Sequence, residues 1–174
     1  MTFGFASLLV LLSGLMAGIA AANEPPPALP VVLETFDDRV RVEIGGQLFT
    51  DYVFKGATRP YCYPVLAPDG TSLTRDFPMK ETPGEDTDHR HHRALMFAHS
   101  DVNGVDFWNE GSSGTPYPKG KTMHDALLET TSGEVGELRV RNRWLAPDGT
   151  LIAIDETTIR PRKSRNTNTP IRRA

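Results

Sequence analysis

The 174-residue chain has a single cysteine, Cys62, so no intrachain disulfide can stabilise it. Cys62 stands between two tyrosines, among residues that favour β-strands, and this setting predicts a packed thiol rather than a nucleophile. Beyond residue 22 no apolar run approaches the roughly 20 residues that a membrane-spanning helix needs. Nor is there a long stretch with the 3.6-residue apolar period of an amphipathic helix. A disulfide scaffold, a helical bundle and a multi-span membrane protein are therefore excluded.

Basic residues are scarce in the body of the chain. Residues 23–159 carry 13 basic and 22 acidic side chains, whereas residues 160–174 carry six basic side chains and no acidic one. The acidic body argues against a nucleic-acid groove, and we expect no nucleic-acid partner. The abrupt charge reversal at residue 160, without apolar periodicity, predicts a basic tail that is disordered or arises from a truncated or shifted reading frame.

The first 22 residues contain no charged side chain. An apolar run at residues 8–12 precedes Ala20, Ala21 and Ala22, the small residues that a signal peptidase requires. We therefore predict a signal peptide over residues 1–22 and a secreted or periplasmic protein with no stable membrane insertion after cleavage. An uncleaved anchor is the alternative. Residues 23–37 are predicted to form a proline-rich linker and a first strand.

Several alternating segments within residues 38–159, 14 proline and 15 glycine residues in the chain, and the lack of a long helical period after residue 22 predict an all-β fold, a sandwich or an open barrel, of which we expect the antiparallel β-sandwich. Residues 39–54 are the strongest hairpin candidate, because Gly45 and Gly46 separate two alternating runs. Residues 138–144 predict a strand with one solvated face, with residues 151–158 as its partner.

Three further segments bear on the fold. The sequence Leu-Ala-Pro-Asp-Gly-Thr occurs at residues 66–71 and 145–150, where proline and glycine favour a turn, and it predicts two similar hairpins. Residues 122–130 are compatible with one or two helical turns. Residues 95–98 are predicted to form a buried strand that positions His99 at its end.

Four of the five histidines fall within 11 residues. In a strand, His89 and His91 would project from one face and His92 from the other. Neutral imidazoles suit Zn, Cu, Fe or Ni, and a carboxylate from Asp86 or Asp88 would complete a mixed ligand set. The two carboxylates could instead act as acid and base, as in glycosidases. A third interpretation is a hydrogen-bonded cluster that orders a loop and binds no ion.

Aromatic side chains follow residues 86–99, which we call the histidine segment. Phe107 and Trp108 stand among aspartate and asparagine residues, a composition typical of a sugar site, and packing of both rings in the core is the alternative. His124 either joins this site or lies on a solvated loop.

Several motifs match a known pattern: Arg59-Pro60-Tyr61, Pro68-Asp69-Gly70, residues 74–79, residues 83–89, His91-His92-Arg93 and residues 99–108. Together they resemble the PmoA-like family of secreted bacterial proteins, commonly labelled "methane oxygenase PmoA" and distinct from the membrane methane monooxygenase subunit. The resemblance covers residues 40–156 and implies that residues 38–159 are the N-terminal part of a β-sandwich, incomplete at its C-terminus. It also implies carbohydrate chemistry, since the family occurs in bacteria that degrade complex glycans.

The expected function is therefore to bind or act on a carbohydrate or other small molecule through the histidine segment. The candidate catalytic residues are Asp86, Asp88, His89, His91, His92 and Arg93. The candidate ligands of a divalent transition metal are His89, His91 and His99. The candidate substrate-binding residues are Asp101, Asn103, Asp106 and Trp108. The alternatives are a Cu- or Fe-dependent oxygenase, as the family label implies, and a non-catalytic glycan-binding or structural module.

Overall fold

The chain folds into two antiparallel sheets in a computed structural model that describes residue 1, residues 30–110 and residues 116–163. The first sheet contains, in order, β1 (Val31–Thr35), β2 (Arg39–Ile44), β3 (Gln47–Val53) and β4 (Tyr61–Tyr63). The second contains β5 (Lys121–Thr131), β6 (Glu137–Leu145) and β7 (Leu151–Ile159). The sheets pack against each other as a β-sandwich, which confirms the predicted fold class.

Parts of three predicted segments lie outside the described residues: residues 2–22 of the signal peptide, residues 23–29 of the linker and residues 164–174 of the basic tail. In the described part of the chain, no helix has the length and apolar character needed to cross a membrane. The start of the basic tail contacts the fold, since the Gly136 amide donates to the Pro161 carbonyl at 3.0 Å and Arg160 pairs with Glu137 at 2.7 Å.

Short-range pairing follows the predictions. β2 and β3 form the expected hairpin around Gly45 and Gly46, whose φ angles of 63° and 75° suit glycine because it has no Cβ to clash. β6 and β7 pair as predicted. The two Pro-Asp-Gly turns are alike, since the amides of Gly70 and Gly149 each donate to the carbonyl three residues earlier at 2.9 Å.

The core has two apolar clusters. The larger joins both sheets, and its buried residues are Val31, Leu33, Val40, Val42, Tyr52, Cys62, Leu138 and Val140. The smaller consists of Val105, Phe107 and Trp144. On β6 the inward-facing, buried Asn142 lies between Val140 and Trp144, one from each cluster. A buried polar side chain therefore separates the two clusters along β6.

Two local predictions are wrong. Residues 122–130 are extended rather than helical, because β5 pairs with β6 along its length and this pairing satisfies the backbone. Residues 95–98 are not a buried strand: Leu95 forms a single bridge with Cys62, and Leu95 and Phe97 are 59% and 64% exposed. Cys62 itself is buried, and burial raises the pKa of its thiol to about 12, consistent with a packed, inert side chain.

Candidate functional site

The histidine segment lies in the long connection between β4 and β5 and forms a turn rather than a strand. The His92 amide donates to the His89 carbonyl at 2.8 Å, and His89 has a φ of 45°. The predicted placement of His92 on the opposite face from His89 and His91 is therefore wrong, because the turn brings all three rings together. Their centroids are 5.9 Å (His89 to His91), 5.0 Å (His89 to His92) and 4.3 Å (His91 to His92) apart.

Trp108 completes this group of rings. Its indole lies 5.8 Å from the His91 ring and 5.3 Å from the His92 ring, both in edge-on geometry. Trp108 is half-buried, whereas the adjacent Phe107 is 1% exposed and packs in the smaller core cluster. Of the two aromatic residues, one thus belongs to the core and the other to the site. We call His89, His91, His92 and Trp108 the histidine–tryptophan cluster.

The imidazoles of His91 and His92 are held in their neutral form. Burial lowers the pKa of both rings, and the charge of neighbouring imidazoles lowers it further. A neutral imidazole has one nitrogen that donates and one that accepts a hydrogen bond. The cluster can therefore bind a ligand with hydroxyl groups through both kinds of hydrogen bond.

Asp88 and His89 form a carboxylate–imidazole pair. Asp88 Oδ2 lies 2.5 Å from His89 Nδ1, and Arg75 donates to Asp88 Oδ1 at 2.8 Å. The hydrogen bonds from Arg75 and His89 lower the pKa of Asp88, so the carboxylate is ionised at neutral pH. Because His89 Nδ1 is engaged, Nε2 is the nitrogen that this arrangement presents to a ligand.

An ion network around the buried Arg59 contacts the cluster, and of its members only Arg93 was predicted from the sequence as a site residue. Glu110 accepts hydrogen bonds from Arg93 and from the Thr58 hydroxyl, and its carboxylate lies 3.6 Å from Arg59 Nε. Burial by itself raises the pKa of Glu110, but these bonds and charges outweigh it and lower the pKa overall. Arg59 also donates to the Trp108 carbonyl at 2.9 Å, so the network holds the backbone of Trp108.

Arg93, a predicted catalytic residue, is thus engaged by Glu110 rather than exposed to a ligand. Its side chain is 18% exposed and that of Arg59 only 2%. The sequence contained one sign that Arg59 and Glu110 belong to the site: Arg59 begins the matched motifs, and Glu110 follows shortly after Trp108. Because 51 residues separate them, their pairing is not visible in the sequence.

Other predicted site residues lie elsewhere. Asp106 is fully buried and accepts a hydrogen bond from Lys119 at 2.7 Å. Burial raises the pKa of its carboxyl group, but the hydrogen bonds from Lys119, Asn109 and backbone amides outweigh burial and lower the pKa to about 2. Such a residue stabilises the loop and is not accessible to substrate. His124, on β5, packs 4.4 Å from the Phe54 ring, so it is neither in the cluster nor on a solvated loop.

The remaining candidates are exposed. His99, Asp101 and Asn103 form a neighbouring turn in which the Asp101 amide donates to His99 Nδ1 at 3.3 Å and Asp101 Oδ1 accepts from the Gly104 amide at 2.8 Å. Asn103 has a φ of 53°, typical of a turn residue. Asp86 is also exposed.

The predicted metal ligands are not arranged for an ion. Metal-bound imidazole nitrogens lie about 2.0–2.1 Å from zinc, which requires several donor atoms to converge on one point. Among the described residues, no three His, Cys, Asp or Glu side chains are placed so that they could hold a metal ion. His89 and His91 pack ring against ring, and His99 bonds to its own turn. As the structure places them, His89, His91 and His99 therefore do not fit a divalent transition metal.

A family model described as a family of unknown function, DUF6807, matches residues 39–173, a range that includes β2 to β7 and the whole histidine segment. No curated protein and no solved structure matches the chain.

Proposed function

Because the chain belongs to the DUF6807 family, whose function is unknown, we propose a function from the geometry of its site: the histidine–tryptophan cluster binds a carbohydrate. The observation that carries the proposal is the packing of His91 and His92 edge-on to the half-buried Trp108. The resemblance to the PmoA-like family, which implies carbohydrate chemistry in an exported protein, supports the same proposal.

The chemistry of a sugar matches these side chains. The C–H face of a pyranose ring is apolar and packs on an indole, while its hydroxyl groups need hydrogen-bond donors and acceptors at the edge. Neutral His91 and His92 supply both from positions next to Trp108. The buried Arg59 holds the Trp108 backbone, so the indole is positioned before a ligand arrives.

A catalytic role is the second candidate function, and the Asp88–His89 pair favours it. A carboxylate that holds Nδ1 of an imidazole fixes the ring orientation and leaves Nε2 free to accept a proton, which is the arrangement of a general base. His89 would then remove a proton from a hydroxyl of the bound sugar through Nε2, and Arg75 would keep Asp88 in place. The metal-dependent oxygenase, by contrast, has no three-ligand group among the described residues.

Calorimetric titration with a panel of neutral mono- and disaccharides tests binding. We expect at least one saccharide to bind, Trp108→Ala and His91→Ala each to weaken it about tenfold or more, and a chelator to have no effect. His99→Ala is the matched control, because His99 is an exposed histidine of the neighbouring turn. Equal loss in His91→Ala and His99→Ala, or no saccharide binding by the folded wild-type protein, would contradict the proposal.

A further inference from the structure

The turn at residues 102–105 contains the single Asn-Gly sequence of the chain, Asn103-Gly104. Asparagine deamidates most readily before glycine, because glycine has no Cβ to hinder the approach of its amide nitrogen to the asparagine side chain. In this reaction the Gly104 nitrogen gives its proton to hydroxide and attacks Cγ of Asn103, and the side-chain amide leaves as ammonia. Water then opens the succinimide ring, so that aspartate or isoaspartate replaces Asn103.

The structure holds these two residues at the tip of a tight hairpin. Val102 and Val105 exchange both backbone hydrogen bonds, at 2.9 and 3.1 Å. Asn103 and Gly104 have φ angles of 53° and 79°, the pair of positive values that a type I′ turn requires. Val105 is buried in the smaller core cluster, and Val102 packs against that cluster. Backbone pairing and core packing therefore fix the conformation of the two residues that would react.

The nitrogen that would attack is already engaged in a hydrogen bond. The Gly104 amide donates to Asp101 Oδ1 at 2.8 Å. A hydrogen bond to a carboxylate is stronger than one between neutral groups. It also disfavours loss of the amide proton, because the resulting nitrogen anion would face the negative charge of Asp101. Attack on Asn103 Cγ therefore requires that this bond breaks and that the Gly104 nitrogen turns towards the asparagine side chain.

We propose that Asn103 is a latent deamidation site and that Asp101 keeps it unreactive in the native fold. The Asn-Gly sequence alone predicts a rapid reaction, whereas the hairpin pairing and the bond from Gly104 to Asp101 oppose it. The reaction follows opening of the turn, because local unfolding frees both the amide nitrogen and the backbone angles. Conversion of Asn103 therefore records how often this turn opens, and it adds a negative charge at an exposed position.

The opposite role for Asp101 is that of a general base. A carboxylate bonded to the Gly104 amide could accept its proton and so accelerate the attack on Asn103. The two roles predict opposite effects of one substitution. Removal of the Asp101 carboxylate accelerates deamidation if the carboxylate protects the amide, and slows it if the carboxylate acts as a base.

Incubation of the full chain in mildly alkaline buffer, followed by peptide mapping with mass spectrometry, measures the fraction of Asn103 that is converted. We expect Asn103 to deamidate about tenfold faster in Asp101→Ala than in the wild-type protein, as expected for the loss of one hydrogen bond to a charged group. The wild-type chain unfolded in urea should also react faster than the native chain. Asn109 is the internal reference, because the side chain of the following Glu110 hinders the attack.

Asp69→Ala is the matched control: Asp69 Oδ1 accepts from the Thr71 amide at 2.9 Å in a similar contact of another turn, so its removal should not change the rate at Asn103. An equal or slower rate at Asn103 in Asp101→Ala than in the wild-type protein would overturn the proposal. Equal rates in the native and the urea-unfolded wild-type chain would overturn it as well, and this second comparison needs no variant to fold. None of these results depends on saccharide binding at the histidine–tryptophan cluster.

Discussion

Glu110 binds the guanidinium of Arg93 with both carboxylate oxygens: Arg93 Nε donates to Oε1 at 3.1 Å and Nη2 to Oε2 at 2.9 Å. This two-point contact is the strongest geometry available to an arginine–carboxylate pair. The buried Arg59 lies on the same carboxylate, so one anion compensates two cations beneath the histidine–tryptophan cluster. The position of Trp108 therefore depends on a charge at residue 110.

Glu110→Gln should lower the free energy of unfolding by roughly 3 kcal/mol, because it removes the carboxylate that pairs with the buried Arg59. Urea denaturation measures this directly. Glu156→Gln is the matched control, since its partner Arg141 and Glu156 itself are 39% and 51% exposed and the loss should stay within about 0.5 kcal/mol. Similar losses in the two variants would show that the Glu110 network is solvated rather than buried.

Gly120→Ala should destabilise the fold by about 1–3 kcal/mol through overpacking. A Cβ at residue 120 would lie 2.3 Å from Cε1 of the Phe107 ring, and Phe107 is fixed in the core. Gly133→Ala is the control, because a Cβ at residue 133 would lie 3.5 Å from its nearest atom, an ordinary van der Waals distance. Thermal unfolding of both variants checks the prediction, which fails if Gly120→Ala is no less stable than Gly133→Ala.

Acidification should destabilise the protein partly through His91 and His92. Burial and neighbouring imidazoles lower the pKa of both in the folded state, whereas an unfolded chain has a histidine pKa of about 6.5. Below that pH the unfolded chain binds more protons than the native one, so the free energy of unfolding falls as the pH decreases. The stability that the two neutral histidines contribute is fully present above about pH 6.5. It is lost as the pH falls towards their lowered native pKa values.

The double variant His91→Asn/His92→Asn should therefore lose less stability than the wild-type protein when urea denaturation is repeated at pH values on either side of about 6.5. His124, whose pKa burial also lowers, contributes equally to both proteins. The exposed His99, changed to Asn, provides the reference. Parallel pH dependence in the double variant and the wild-type protein would contradict the assignment.

Arg75→Gln should loosen the histidine turn. Arg75 donates to the Phe77 carbonyl and to Asp88 Oδ1, both at 2.8 Å, and to the Asp88 carbonyl. Hydrogen bonds to charged groups contribute about 1.5–3 kcal/mol, so exchange of the His92 amide should accelerate roughly tenfold or more by hydrogen–deuterium exchange.

Arg141→Gln, a change to an exposed arginine on the second sheet, should leave exchange of the His92 amide unchanged. An unchanged rate in Arg75→Gln would mean that the turn is stable without the guanidinium.

Local pairing was predictable from the sequence because its determinants are close together in the chain. The hairpin of β2 and β3 needs only alternating side chains and two glycines that accept positive φ, and the pairing of β6 with β7 needs alternation on both sides of a turn. The all-β class followed from the same period of two and the lack of a helical period, whereas the pattern allowed either a sandwich or an open barrel. The local pattern did not predict two segments. Residues 122–130 are extended because they pair with β6, and residues 95–98 form no strand because they share only a single bridge with Cys62.

The sequence by itself determined that this is an all-β protein with its histidines concentrated in one segment. The tertiary structure decided what those histidines can do: a turn gathered three rings against Trp108, and Arg59 and Glu110 met across 51 residues. It also brought the side chains of Tyr52 and Asn142 together from opposite sheets. Alternation specifies which face of a strand is buried, but the packing of one sheet on the other decides which buried groups meet, and that choice involves residues far apart in the chain.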